Sequence, residues 1–151
     1  MKIIAIDPGL RASGIAIWKD EKFEKLCKME LWELYEVISS DSQAFYLVED
    51  SNLGGGNWHG MTSRANVGKN QAVSTLIVEY LKHTGRRFKA LPPAGYSARY
   101  ADSKGNFSKT HKKIFEAETG WKRTSNKDSR AAAAMVVANK HIVKALLKEK
   151  N

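Results

Sequence analysis

Only one cysteine, Cys27, occurs in the 151 residues, so neither an intramolecular disulfide nor a cysteine-based zinc site can form within one chain. That scarcity fits a reducing, intracellular setting. Apolar runs long enough to cross a bilayer, about 18 residues, are missing. The opening run over residues 1–6 is too short for a signal peptide and meets Asp7 at once, so the expectation is a cytoplasmic chain with no membrane partner. Internal repeats and low-complexity tracts are absent as well. Acid is in short supply: 16 Asp and Glu stand against 25 Lys and Arg, a formal charge of +9. Such a surplus is the electrostatic footprint of a protein that meets a polyanion, nucleic acid before a membrane surface. Charge selects a class of partner and says nothing about chemistry. With 42% hydrophobic residues, the length suits one domain, residues 1–151, with one full core.

What is present reads as alternating strands and helices. Ile3 to Ile6 is a continuous apolar run closed by Asp7-Pro8-Gly9, the pattern of a strand buried on both faces that ends in a turn. Strands over residues 14–18 and 23–29 follow with a polar turn between them, so the opening is an antiparallel meander. Leu31, Leu34, Tyr35 and Ile38 recur at helical spacing. A second buried strand, residues 45–48, ends in Glu49-Asp50 and passes into a glycine-rich loop over residues 51–60. Val67, Val73, Leu76, Ile77, Tyr80 and Leu81 mark a long amphipathic helix over residues 62–83. A short strand at 88–91 is halted by Pro92-Pro93, and a polar, basic segment leads into a short helix near 110–118. The last helix, residues 126–148, is expected to bury Met135, Ala138, Ile142 and Leu146, with Val136 and Val143 beside them. This order predicts an α/β domain with a mixed five-stranded sheet flanked by helices.

In such sheets ligands gather beyond the carboxyl ends of parallel strands, where Asp7 and Glu49 both fall. An ionised group ending a central strand is costly unless it is paired or binds metal. Each acid also has an ordinary explanation. Asp-Pro-Gly makes turns, Glu49-Asp50 can be a solvated strand end, and Asp128 stands three residues after Ser125, the spacing of a capping box. Converging carboxylates are what hydrolysis of a phosphodiester by divalent ions requires, because hard cations prefer oxygen donors.

Three segments carry a family resemblance: Ile4-Ala5-Ile6-Asp7-Pro8-Gly9 with Gly14 in the next strand, Leu47-Val48-Glu49, and Asn126-Lys127-Asp128-Ser129-Arg130-Ala131-Ala132-Ala133. Together they resemble the RuvC type of Holliday-junction resolvase, particularly its small phage versions, within the ribonuclease H-like superfamily. The resemblance implies catalytic, metal-binding roles for Asp7, Glu49 and Asp128, with magnesium or manganese as cofactor. It also implies a second helix acid at position 131, where this chain has alanine. Without that acid, ion binding weakens and the rate falls. Four-way DNA junctions are the implied partner, cut by a homodimer, since paired nicks need two sites related by a two-fold axis. The helix over 62–83 is the candidate interface.

Phosphate contacts are expected from Arg11, Arg64, Lys69, Lys104, Lys109, Lys112, Lys113 and Lys122. Trp58, in the glycine-rich loop after Glu49, is a candidate to wedge or stack at an opened base step, the alternative being a flexible connector whose Trp58 folds back on the core. His111 is a candidate proton shuttle or phosphate contact. Other functions stay open at this level. They are an actin-like or sugar-kinase ATPase, a non-catalytic branched-DNA-binding module, and a related nuclease acting on flaps, forks or RNA–DNA hybrids.

Overall fold

A computed structural model describes residues 1–54 and 61–148, with the side chains of residues 61–67 left aside. Strands β1 (Lys2–Asp7), β2 (Ser13–Lys19) and β3 (Lys22–Met29) form the antiparallel meander. Helix α1 (Leu31–Ser40) leads to β4 (Phe45–Glu49), which lies parallel to β1. Helix α2 (Met61–His83) leads to β5 (Arg87–Leu91), parallel to β4, and the sheet order is β3-β2-β1-β4-β5. Two further helices, α3 (Lys109–Thr119) and α4 (Lys127–Lys148), complete the chain. The predicted mixed five-stranded sheet flanked by helices is the observed fold.

β1 and β4 read as unbroken apolar runs because both faces of the sheet are covered. Alternation sends Ile3, Ala5, Phe45 and Leu47 to one face, against α4 and the segment that carries Tyr100, Phe115 and Trp121. Ile4, Ile6, Tyr46 and Val48 go to the other, against Leu34 and Ile38 of α1 and Val73, Ile77 and Leu81 of α2. The helical stripes differ from expectation in detail. Leu76, expected in the α2 core, is half exposed, because a buried line through Val73, Ile77 and Leu81 turns it away from the sheet. In α4 the buried line runs Ala132, Val136, Asn139 and Val143, whereas Leu146 is exposed and Ala138 and Ile142 are only half-buried. The run Ala131 to Val136 is buried on every side. Small side chains there allow the helix axis to approach the sheet more closely than an amphipathic stripe would require.

Candidate active site

The site is built on a row that crosses the sheet. Lys28 of β3 pairs with Gly14 of β2, and Gly14 pairs with Asp7 of β1. The β1–β4 pairing runs through Ile6 and Val48, which places Asp7 and Glu49 one step further on at the same level of neighbouring strands. Strands lie about 4.8 Å apart. Ile6 and Val48 point to the α1–α2 face, so alternation turns Asp7 and Glu49 to the face that α4 covers.

Gly14 is what admits the third acid. A Cβ at this position would lie 2.3 Å from both the carbonyl carbon and the carbonyl oxygen of Asp128 and 2.7 Å from its Cβ. The first turn of α4 therefore rests directly on β2, with Asp128 above the row between Lys28 and Asp7. Gly9 shapes the turn after Asp7 in the same way, since a Cβ there would meet the Ala12 carbonyl oxygen at 2.4 Å. The β1–β2 turn is thus held close beside the first carboxylate.

Asp128 does not cap its helix. The cap is Asn126, whose Oδ1 accepts from the Ser129 amide at 2.9 Å, while the Asn126 amide donates to Ser129 Oγ at 3.2 Å. This reciprocal pair stands one residue beyond the Ser125 and Asp128 spacing that the sequence offers, and it leaves the Asp128 carboxylate available. A similar sorting separates Glu49 from Asp50. The Asp50 carboxylate accepts from the Asn52 amide at 3.0 Å and from its side chain at 2.7 Å, closing the turn after β4. Among the described residues, the Glu49 carboxylate takes no such partner.

Burial pushes the Asp7 carboxyl up to about 7, and the negative charges of Glu49 and Asp128 add to the rise, opposed by Lys127 and Lys28. Burial also raises Glu49. Glu49 and Asp128 are thus both close enough to Asp7 for their charges to act on it. The roles of the three acids differ. Asp128 is drawn to Lys28, with Oδ2 2.7 Å from Nζ, and among the described residues no three His, Cys, Asp or Glu side chains are arranged as a ready metal cage. Asp7 and Glu49 suit a hard divalent cation by donor chemistry and by the repulsion that their lysine neighbours only partly offset. Asp128 would offer an ion its second oxygen, or the first by giving up Lys28. Ala131, one turn further along α4, is buried and belongs to neither apolar cluster.

The basic residues expected to meet phosphate are exposed wherever they are described. Arg11 is exposed in the β1–β2 turn, Lys69 is exposed on α2, and Lys104, Lys109, Lys112 and Lys113 are exposed on and just before α3. Lys112 lies 3.9 Å from Glu116 on its own helix. Trp58 and the Arg64 side chain lie outside the described residues. His111 is engaged locally, its Nδ1 2.7 Å from the Oγ of Ser108, the N-cap of α3. Sequence reasoning passed over Lys28 and Arg130. Lys28 was detectable only by aligning the meander so that its partner is Gly14; Arg130 left no local signal, because its partners come from other segments.

No protein-family model and no curated protein matches the chain. Solved structures do. Thermus thermophilus RuvC in complex with a Holliday junction substrate superposes with a TM-score of 0.63 at 12% identity, covering 96% of each chain. A second structure of RuvC from the same organism gives 0.52 at 12% identity, over 94% of this chain and 96% of that one. At such identity the likeness is one of fold, and the fold is RuvC-like, of the ribonuclease H type. No helix among the described residues is long and apolar enough to cross a membrane.

Proposed function

We propose that the chain is a structure-selective endonuclease that binds branched DNA, four-way junctions in particular, and hydrolyses phosphodiesters at the edge formed by Asp7, Glu49 and Asp128. One observation carries the reading: Asp7, raised to about 7 chiefly by burial, ends β1 at the level of Glu49 on the neighbouring strand and beneath Asp128 of α4, a grouping of carboxylates that a structural turn has no use for. The formal charge of +9 supports a polyanionic substrate, and the likeness to a junction-bound RuvC supports the branched form of it. Asp7 and Glu49 are the residues that would hold magnesium or manganese, with Asp128 as the third donor. The bound ion supplies charge neutralisation at the phosphoryl oxygens and an activated water. The chain's own part would be to hold the acids on one face and to close the Asp7 turn through Gly9, with exposed Arg11 and the lysines of α3 as the groups that would contact phosphate.

Two active sites acting on a symmetric junction call for a homodimer, and α2 is the surface proposed for it. Half-exposed Leu76 on that helix, beside the stacked rings of Tyr35 and Tyr80 at 4.0 Å, offers an apolar contact. Ala131 favours a second reading, a branched-DNA-binding module without catalysis, because the buried position one turn after Asp128 contributes no oxygen donor.

The test is incubation with a labelled four-way junction, a linear duplex, a flap and an RNA–DNA hybrid, each with magnesium, manganese or chelator. Paired metal-dependent nicks in the junction support the nuclease. Junction-selective binding with no cleavage supports the binding module. Equal affinity for every substrate rejects the junction assignment, and cleavage confined to flap or hybrid reassigns the substrate.

A further inference from the structure

Arg130 sits two residues past Asp128 on α4, half-buried, and its guanidinium is fixed before any ligand arrives. The guanidinium carbon lies 3.9 Å from the centre of the Phe107 ring, so the cation is stacked on an aromatic face. Nη1 donates to the Ser125 carbonyl oxygen at 3.0 Å and to Ser125 Oγ at 3.2 Å. That nitrogen is thereby committed to Ser125.

The opposite edge is open. Among the described residues, Nε and Nη2 of Arg130 have no acceptor, and no buried polar side-chain atom lacks a partner, so this edge faces solvent. These two nitrogens form the side-on fork that meets a carboxylate or phosphate with two parallel hydrogen bonds. The nearest carboxylate, Asp128, acts on Arg130 electrostatically but is itself paired with Lys28 at 2.7 Å.

Bracing the Ser125 turn needs one neutral donor. A charge held partly out of water without a counter-ion costs free energy that such bracing does not require. Phe107, which holds the guanidinium plane, immediately precedes the α3 N-cap Ser108 and the exposed Lys109. Arg130 thereby joins the helix that carries Asp128 to the start of basic α3.

We propose that Nε and Nη2 of Arg130 are a preformed two-pronged seat for a phosphodiester of the strand that crosses the carboxylate edge. This inference rests on the nucleic-acid reading above and extends it by assigning a substrate-binding residue and the atoms that make the contact. Stacking and the Ser125 bonds remove the rotamer freedom that a lysine would lose on binding, so the seat acts by shape as well as by charge.

The test is equilibrium binding of a fluorescein-labelled four-way junction in chelator over a range of salt concentrations. Wild type, Arg130→Gln, Arg130→Lys and Phe107→Leu are compared, with thermal midpoints recorded for each. Loss of one phosphate contact in Arg130→Gln is expected to weaken binding about tenfold and to lower the slope of log affinity against log salt by about one. Arg130→Lys keeps the slope and loses affinity severalfold, because an ammonium cannot make the fork. Phe107→Leu keeps the slope and weakens binding by a smaller factor. Arg130→Gln binding within twofold of wild type at an unchanged slope overturns the proposal while leaving the DNA-binding reading intact. Affinity that falls only in step with the thermal midpoint also overturns it, since bracing of Ser125 then explains the loss. A wild-type chain that binds no DNA removes the parent reading and the seat together.

Discussion

The Lys28 ammonium lies 2.7 Å from Asp128 Oδ2, above the glycine that both β1 and β3 pair with. A lysine on the sheet thus supplies part of the positive charge that the acids need, and it competes with any ion for Asp128. Replacing Lys28 by Met is expected to tighten magnesium binding roughly three- to tenfold by calorimetry. Metal-free stability should change by less than about 1 kcal/mol, because both partners are substantially exposed. Unchanged or weaker ion binding in the variant would show that Lys28 does not compete for the site.

Gly14→Ala tests the close approach of α4 to β2. The added methyl would stand 2.3 Å from backbone atoms of Asp128, which cannot rotate aside, so the helix start must move. A loss on the order of 2–4 kcal/mol in urea unfolding is expected, with weakened ion binding, because Asp128 moves with its helix. An alanine variant as stable as wild type would mean that α4 does not pack on β2 in this way.

Asp7 has an ordinary value of 3.8 and is pushed up to about 7 in the folded chain, chiefly by burial. Between those values the folded state holds the extra proton, so stability falls as pH rises from about 4 to 7, and the penalty is complete above 7. In chelator at pH 8, Asp7→Asn should therefore be more stable than wild type by about 2–4 kcal/mol, and the two should converge near pH 4. Magnesium should narrow the gap by stabilising wild type alone. Parallel stability curves across this range would mean that Asp7 is not strained.

Ala131 is buried one turn beyond Asp128, on the helix that carries the third acid. Ala131→Asp places a carboxylate three residues along the same helical face. Without metal it should cost about 2–4 kcal/mol in thermal or urea unfolding, as an unpaired buried charge does. Magnesium should restore much of that loss, and junction cleavage should rise at least tenfold. A variant destabilised equally with and without magnesium would place position 131 outside the ion's reach.

Much of the fold was legible in the sequence because its signals are local. The unbroken apolar runs in β1 and β4 require cover on both faces, and Asp7-Pro8-Gly9 and Glu49-Asp50 mark the strand ends where charge can reach solvent. In the last helix Met135, Val136 and Val143 are buried as their spacing predicts, whereas Leu146 is exposed, Ala138 and Ile142 are half-buried, and Asn139 takes a buried place instead. With six consecutive small or apolar residues from Ala131 to Val136, periodicity has little contrast with which to choose a face.

The site divides along the same line. Strand ends, the +9 charge and the acids at 7, 49 and 128 are properties of the chain, because each depends on residue type and short-range spacing. The release of Asp128 from capping, its seating over Gly14, its pairing with Lys28 and the open fork of Arg130 over Phe107 were decided by the tertiary structure alone. Each depends on which residue of a distant segment comes to lie opposite, and strand register and helix rotation settle that only when the layers pack.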